Sequence, residues 1–435
     1  MIVHDTAELR EILVEPELTP DRAGALFRRV VEAVGDAFDP ELCDLYVPFA
    51  ARVIQCCRRL PDAARVDRLL GRFGLASEQD LIGRAERVRR GKPARWEAGR
   101  AAEVRKVVVL SRVTLGADVA VTSVALRKMA QCFPNAGLAL VAGRQAALLF
   151  SDGERVRVRE VAYPRGGPLA ERLDTWPAVA EAVEDEVSGL GPGEYLVLDP
   201  DSRLTQLGML PVVADESSYL FFESRSYSKP GIETLGELTA DWLGEGFGVG
   251  AAPVYPWVSV RQAAAPAGRW ASVNLGVGDN PRKRLADPFE EQLLDGLLAG
   301  GWKVFLDYGA GEEETTRVGR LLGRLGGAGR KVAEIQDTAT ALPAGVDVVA
   351  WRGSLAGFGG LITASRLYVG YDSACAHIAA ALGVPVIDIF AGYAWPRMVE
   401  RWRPWGPGRV TMVVVDPQEP VDGEKALDSV LEAAR

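Results

Sequence analysis

A short polar turn near the carboxyl end of the chain combines residue types that could hold a phosphate group. Residues 368–390, YVGYDSACAHIAAALGVPVIDIF, indicate a strand, a turn, a helix of small residues and a second strand. Helix-start amides bind anions, and the small Ser373 and Ala374 would let a ligand approach them. His377 could donate a hydrogen bond to phosphate, and Asp372 could accept one from a ribose hydroxyl. Alternatively, Asp372 and Ser373 cap the helix and His377 is an ordinary buried histidine.

A second loop, NLGVGDNPRKRLADPFEE (274–291), could supply positive charge to the same phosphate. It follows an apolar strand and carries three cations before a helix: Arg282, Lys283 and Arg284. Cations on such a loop suit a diphosphate, although a solvated basic turn is the alternative for any one of them. After the next strand, GAGEEE (309–314) brings Glu312 to a strand end, where a carboxylate could meet a sugar or a ribose.

A third loop, SRVTLGADVAVTS (111–123), contains a candidate general base. Thr114 and Gly116 lie in the loop, where Gly116 allows a tight backbone, and Asp118 lies at the start of the next helix. As a base, Asp118 would take the proton of a hydroxyl group during its attack. The alternative is an N-cap, in which the Asp118 carboxylate would accept hydrogen bonds from helix amides.

Composition excludes several other kinds of chemistry. The chain has 435 residues, a net charge of −9, two histidines and five cysteines. Two histidines exclude a three-histidine metal site, and the lack of a C-x-x-C pair argues against structural zinc. The negative charge argues against a nucleic-acid partner. The first residues lack the apolar core of a signal peptide, and no run approaches the roughly 20 apolar residues of a membrane span. We therefore expect a cytoplasmic protein without a transmembrane segment.

The three loops lie in regions where strands and helices alternate. Residues before about 103 show helical spacing and no strand pattern, whereas from KVVVL (106–110) onward the sequence alternates as in an open parallel sheet. The alternation begins again after an Ala- and Pro-rich stretch (250–268) that is typical of a linker. In such folds, ligands bind at the carboxyl ends of strands. The predicted α/β organisation is a helical extension at 1–103, a first Rossmann-like domain at 104–265 and a second at 266–435.

Four stretches together resemble glycosyltransferase family 9, the ADP-heptose:lipopolysaccharide heptosyltransferases. KVVVLSRVTLGADVAVTSVALRKMAQCFPNAGLALVAG resembles the family's first β-α-β unit, and YVGYDSACAHIAAALGVPVIDIFAG resembles its Asp-Ser/Thr-Gly-x-x-His-x-x-Ala-Ala segment. NPRKRLADPFEEQLLDGLLAGGWKVFLDYGAGEEE resembles the Lys-Arg-Trp segment, and WPRMVERWRPWG resembles the tail. The chain departs from the family at three points: Ala117 separates the Gly and Asp of the first loop, Ala374 replaces a glycine, and Leu285 replaces the tryptophan.

The resemblance implies a GT-B fold, with two doubly wound Rossmann-like domains that face a cleft. It implies an inverting transfer without a metal or another cofactor, in which Asp118 is the general base and Thr114 and Gly116 belong to the acceptor loop. The nucleotide-sugar site would consist of Lys283, Glu312, Asp372, Ser373, Ala374 and His377. The donor would be a nucleotide diphosphate sugar, with an ADP-sugar favoured and a heptose or hexose transferred. The acceptor would be a hydroxyl of a glycan or a natural product, and the helical extension is a candidate surface for oligomer or partner contacts.

Other functions compatible with the same fold remain open. A non-catalytic GT-B relative would hold a nucleotide sugar or act as a scaffold; Asp118 and Lys283 argue against it, whereas the extra Ala117 favours it. A GT-B epimerase would release the sugar without transferring it and would need further carboxylates. A nicotinamide-dependent dehydrogenase is disfavoured because no G-x-G-x-x-G motif follows the first strand.

Overall fold

The structure, a computed structural model, divides into two compact units, Met1–Val254 and Tyr255–Arg435. It describes residues 19, 22–23, 35–90, 102–151, 155–164, 169–248, 253–264, 267–278, 280–336, 342–418 and 422–435. Most of the first 34 residues of the predicted helical extension, including His4, lies outside these residues. The division between the units falls within the Ala- and Pro-rich stretch at 250–268, which was predicted to be a linker.

Helices precede the first strand of the first unit, as the helical spacing predicts. The described ones are α1 (Pro40–Cys57), α2 (Ala64–Arg72) and α3 (Glu78–Arg90). Asp39 caps α1, because its Oδ1 accepts hydrogen bonds from the amides of Glu41 (2.8 Å) and Leu42 (3.2 Å). The buried Arg84 of α3 pairs with Glu216 at 2.6 Å, so this helix is fastened to the α/β part of the same unit.

The first sheet contains five parallel strands in the order β3-β2-β1-β4-β5. The strands are β1 (Lys106–Leu110), β2 (Gly137–Ala142), β3 (Val156–Glu160), β4 (Tyr195–Asp199) and β5 (Tyr219–Phe221). The helices are α4 (115–132), α5 (Arg144–Phe150), α6 (Leu169–Leu173), α7 (Thr175–Val187) and α8 (Leu235–Phe247). Strands β1 and β4 are almost wholly buried, which explains why their sequences are continuous apolar runs.

The second sheet contains seven parallel strands in the order β12-β11-β10-β6-β7-β9-β8. The strands are β6 (Trp270–Asn274), β7 (Lys303–Asp307), β8 (Val332–Gln336), β9 (Val348–Arg352), β10 (Leu367–Tyr371), β11 (Val386–Phe390) and β12 (Val410–Val414). The helices are α9 (Phe289–Ala299), α10 (Glu312–Gly327), α11 (Leu355–Thr363), α12 (Ala374–Ala381), α13 (Arg397–Arg401) and α14 (Gly423–Ala433). The two parallel sheets with their helices confirm the predicted α/β fold.

Strand order in the second sheet reverses between β6 and β10. The chain runs outward from β6 through β7 on one side, and outward from β10 through β11 and β12 on the other. Such a reversal opens a crevice at the carboxyl ends of the two central strands, where open α/β sheets bind their ligands. The loop at 274–291 follows β6 and the turn at 372–377 follows β10, so both predicted phosphate-binding segments begin at this reversal.

One face of the second sheet carries an apolar core, and the other face carries a polar row. Val273, Val369 and Ile389 belong to the apolar core. The strand register places four other residues side by side on β7, β6, β10 and β11: Asp307, Asn274, Gly370 and Asp388. Residues paired in this way share a face of the sheet, so three polar side chains line up beneath the strand ends.

Within the residues that the structure describes, none of the helices is long and apolar enough to span a membrane.

Candidate functional site

The turn at 372–377 leads directly from β10 into α12. Ser373 is the N-cap residue, with extended backbone (φ −156°, ψ 173°), but its side chain makes no capping hydrogen bond within the described chain. Its Oγ lies 3.4 Å from Asn274 Oδ1 and 3.5 Å from Tyr368 OH instead. The cap considered as an alternative is therefore not formed by Ser373. Ala374, the first helical residue, is half-buried beside it.

Lys283 connects the loop after β6 with the turn after β10. Its Nζ contacts the Asp372 carboxylate and lies 3.1 Å from the Asp372 carbonyl oxygen. The side chain of Lys283 is 24% exposed, so Lys283 does not belong to a freely solvated basic turn. Arg284 points to other carboxylates, because it pairs with Asp287 and with Glu290 (3.2 Å). The structure thus brings together Lys283 and Asp372, two residues that the sequence placed in one site.

His377 lies in the first turn of α12 and is only 4% exposed. Burial lowers the pKa of His377 to about 4; the positive charge of Lys283 lowers it further, and the negative charge of Asp372 acts in the opposite direction. The imidazole is therefore neutral at pH 7 and retains one N–H donor. Its ring packs against Trp402, with the ring centres 6.4 Å apart in an edge-on arrangement.

Glu314 is a residue of this region that the sequence reasoning missed. Glu312, which was predicted to bind the nucleotide sugar, is exposed as the first residue of α10. Glu314 is buried, and its Oε1 accepts hydrogen bonds from the amides of Val277 (2.9 Å) and Gly278 (3.2 Å). Its Oε2 accepts one from the amide of Ala310 (2.8 Å). Glu314 therefore fastens the loop after β6 to the loop after β7.

The glycines around Glu314 were the signal that could have identified it. A Cβ atom on Gly309 would lie 2.4 Å from Glu314 Oε2, and one on Gly276 would lie 3.2 Å from both carboxylate oxygens. Gly309 also has a φ of +77°, a backbone conformation that residues other than glycine rarely adopt. Glycines in two different strand-end loops leave room for one carboxylate between them.

The polar row contains two carboxyl groups whose pKa values are raised. Asn274 Nδ2 donates a hydrogen bond of 2.6 Å to Asp307, and burial raises the pKa of Asp307 to about 6. Burial also raises the pKa of Asp388 well above its ordinary value; the charge of Asp372 raises it further, and that of Lys283 opposes the shift. The described residues provide no hydrogen-bond partner for either carboxyl oxygen of Asp388.

Asp118, the candidate base, lies in the first unit and is 2% exposed. Its Oδ2 accepts a hydrogen bond from Ser111 Oγ (2.7 Å), and its Oδ1 accepts hydrogen bonds from the Arg112 amide and Thr122 Oγ1, both at 2.8 Å. Burial raises the pKa of the Asp118 carboxyl, and these hydrogen bonds oppose the shift. Asp118 is not the N-cap, because the N-cap residue of α4 is Thr114.

Thr114 and Gly116, the residues predicted to belong to an acceptor loop, lie next to a strained turn beside Asp118. α4 begins as Leu115–Ala117, which includes Gly116, then forms a π-helical turn over Asp118–Thr122 and continues as Ser123–Cys132. Just before it, Val113 has a φ of +77°, which is strained for a β-branched residue. Ser111 Oγ accepts a hydrogen bond from the Val113 amide (2.8 Å), and this bond holds the strained turn next to Asp118.

No group of three or more His, Cys, Asp or Glu side chains is placed to hold a metal ion in the part of the chain that the structure describes.

Comparisons with known proteins identify relatives of the chain. Residues 291–427 match the family model described as glycosyltransferase family 9 (heptosyltransferase), a range that includes Glu314 and the turn at 372–377. A search of curated proteins found no match.

Solved structures are similar over both units. A glycosyltransferase family 9 protein of Veillonella parvula DSM 2008 is 13% identical, with a TM-score of 0.52 over 77% of this chain and 99% of that one. An E. coli ADP-heptose lps heptosyltransferase II is 15% identical, with a TM-score of 0.50 over 76% of this chain and 98% of that one. At these identities the similarity shows a shared fold, of the GT-B type.

Proposed function

We propose that this chain is a glycosyltransferase with a family 9 domain, and that it transfers a heptose or hexose from a nucleotide diphosphate sugar to a hydroxyl acceptor. The observation that carries the proposal is the pairing of Lys283 with Asp372 beside the start of α12. One cation, a helix start that Ser373 does not cap and the neutral donor His377 converge there, as a diphosphate requires. An ADP-sugar is favoured as the donor because the similar E. coli structure is named as an ADP-heptose heptosyltransferase.

The second unit would stabilise the leaving group. Negative charge grows on the diphosphate as the glycosidic bond breaks, and fixed donors in a buried site stabilise that charge strongly. Lys283 would supply a charge-assisted bond, while His377 and the first amides of α12 would supply neutral N–H donors. With these donors we propose a transfer that needs no metal ion. Glu314 would hold the Lys283-bearing loop in place, a role that replaces direct sugar contact by Glu312.

The first unit would activate the acceptor. We propose that Asp118 accepts the proton of the attacking hydroxyl, and that the sugar is inverted because attack comes from the face opposite the leaving diphosphate. The acceptor oxygen would replace the Ser111 hydroxyl that now donates to Asp118 Oδ2. Because burial raises the pKa of Asp118, its carboxylate binds a proton more readily than an exposed one would.

A second candidate function is a non-catalytic nucleotide-sugar-binding or scaffold protein. The observation in its favour is that Asp118 is buried and already accepts three hydrogen bonds, as a purely structural carboxylate would. Turnover separates the two functions, because donor binding is common to both. We further propose that the enzyme acts in the cytoplasm on a glycan or natural-product acceptor, and that α1–α3 contact a partner or a second copy.

The proposal is tested by donor binding and by transfer. Thermal shift against ADP-, GDP-, UDP- and dTDP-sugars should identify one class that stabilises the full chain, by roughly 2.7 kcal/mol at 100 times the dissociation constant. Lys283→Ala should weaken that binding by about 1.5–3 kcal/mol. The matched control is Arg282→Ala, which removes an exposed neighbouring cation and should leave binding unchanged. If no sugar nucleotide stabilises the protein, or if both variants bind like the wild type, the assignment of the site is wrong.

A further inference from the structure

A buried polar network runs from the candidate base Asp118 towards the helical extension. The Arg112 amide donates a hydrogen bond to Asp118 Oδ1 (2.8 Å), and the Arg112 guanidinium donates one to Ser224 Oγ (2.6 Å). Ser224 Oγ in turn donates a hydrogen bond to Asp201 Oδ2 (2.8 Å). These four residues are between 0% and 6% exposed, so the network lies almost entirely out of contact with solvent.

Arg225 continues the network from Asp201 to the helical extension. Its guanidinium pairs with the Asp201 carboxylate, and its Nε donates a hydrogen bond to the carbonyl oxygen of Gly35 (2.9 Å). Gly35 belongs to the turn before α1. The cavity that α1 leaves beside Asp201 and Arg225 has a volume of about 20 Å³, which is close to the space needed by one water molecule. The extension therefore packs closely over this end of the network.

The network crosses the strand ends where the first sheet reverses its order. The chain runs outward from β1 through β2 and β3 on one side, and from β4 to β5 on the other. Open α/β sheets bind their ligands at such a reversal. Val113 after β1 and Asp201 after β4 have φ values of +77° and +68°, which are uncommon for residues other than glycine. Strained turns persist only where surrounding contacts hold them, and the network joins these two turns through Ser224.

Asp201 is a buried anion between two arginines. Arg225 pairs with it directly, and Arg112 reaches it through Ser224. Arg112 is a cation at neutral pH, because burial lowers the pKa of its guanidinium only to about 10. A buried carboxylate that loses its partner is strongly unfavourable, so without Arg225 the Asp201 carboxylate would draw the Arg112 guanidinium towards itself. The Arg112 backbone would then shift, and its amide is a donor to Asp118.

We propose that the helical extension is part of the site that activates the acceptor, and that Arg225 is the positioning residue through which the extension holds Asp118 in place. The inference rests on the proposed function, because it takes Asp118 to be the general base. The proposed donor-binding residues all belong to the second unit. Loss of Arg225 should therefore lower kcat and leave the KM for the donor unchanged. A misplacement of about 1 Å at a reacting group can cost about 10²-fold in rate.

The first measurement is hydrogen exchange of the full chain, read by mass spectrometry on peptides that cover residues 111–122. Arg225→Met and Ser224→Ala interrupt the network. The matched control is Arg84→Met, because Arg84 is also a buried arginine that fastens the extension to the same unit, but it pairs with Glu216 instead. Exchange in residues 111–122 should become roughly tenfold faster in the two network variants, as for the loss of one buried hydrogen bond, and stay unchanged in Arg84→Met.

The second measurement is the release of nucleoside diphosphate, with water as the hydroxyl acceptor. The donor is the sugar nucleotide that the thermal-shift screen selects from ADP-glucose, UDP-glucose, GDP-mannose and dTDP-glucose. Arg225→Met should lower kcat by up to about 10²-fold at unchanged donor KM, whereas Arg84→Met should turn over like the wild type. In the Asp118→Asn background, Arg225→Met should cause no further loss, because the base on which it acts is already absent.

Three results would overturn this inference and leave the proposed function standing. They are unchanged exchange of residues 111–122 in both network variants, an equal loss of turnover in Arg84→Met and Arg225→Met, and a full further loss when Arg225→Met is added to Asp118→Asn. If Arg225→Met does not fold, Ser224→Ala carries both measurements, because it breaks the same connection without removing a buried charge. Normal turnover in Asp118→Asn, or a wild type that binds none of the four nucleotides, contradicts the proposed function instead.

Discussion

Removing the carboxylate of Glu314 should destabilise the second unit and weaken donor binding together. Glu314→Ala leaves three amide N–H groups without their acceptor. The Val277 amide is buried, so leaving it without an acceptor should lower the free energy of unfolding by about 1–3 kcal/mol. The other two amides are partly buried, and each should lower it by roughly half as much. The sum is roughly 2–6 kcal/mol, and each kcal/mol lowers the melting temperature of a unit of this size by about 2–4 °C.

The matched variants are Glu314→Gln and Glu312→Ala. Gln keeps an oxygen for the Val277 and Gly278 amides but turns an NH2 group towards the Ala310 amide, so roughly 1–3 kcal/mol should be lost. Glu312 is an exposed first-turn residue, and its removal should change stability by about 0.3–1 kcal/mol through the helix dipole alone. The assays are thermal melting and donor affinity. Normal stability and donor affinity in Glu314→Ala, with a donor defect in Glu312→Ala, would refute this assignment and restore Glu312 as the binding residue.

Further predictions concern the base, the metal and the histidine. Asp118→Asn keeps an oxygen for the Arg112 amide and Thr122, so melting temperature and donor affinity should stay close to wild type while turnover falls roughly 10²–10⁴-fold; normal turnover would favour the non-catalytic function. Transfer should persist in EDTA. Loss of transfer in EDTA, with recovery when magnesium or manganese is added, would contradict the proposal. The pKa of His377 falls from 6.5 to about 4 on folding. Its contribution to the free energy of unfolding is therefore complete above pH 6.5 and is lost as the pH falls towards 4, by about 1.4 kcal/mol per pH unit. His377→Gln should flatten the decline of melting temperature over that range, and an unchanged decline would exclude His377 as its cause.

The sequence predicted that Lys283 and Asp372 lie together, because the neighbouring strand ends that carry them converge. The loops after β6 and β10 both begin at the reversal of strand order, so Lys283 and Asp372 could be expected to meet without any knowledge of side-chain packing. The choice between Glu312 and Glu314 could not be made in the same way. Successive side chains along an α-helix point about 100° apart. Two positions are therefore enough to separate the exposed Glu312 from Glu314, which points into the loops.

Asp388 and Asp118 show two further limits of the sequence pattern. A single acid in the apolar run VIDIF does not reveal which face of the sheet it occupies until the strand register with Gly370 is known. Asp118 was considered as a helix cap because it stands before an apolar helical run. In the structure that helix starts at Leu115, with Thr114 as its N-cap residue, because a short helical turn and a π-helical turn precede the regular α4 segment.

The π-helical turn of α4 has a consequence for the length of the loop before it. Ala117 is one residue more than the family pattern has between Gly116 and Asp118, and an extra residue in a regular α-helix would rotate everything after it by about 100°. A π turn closes over one additional residue, so the insertion is absorbed locally. The following residues, such as Val124, Leu126 and Met129, keep their inward phase and remain 0% exposed. The loop before Asp118 can therefore hold one residue more while the buried side of the helix stays buried.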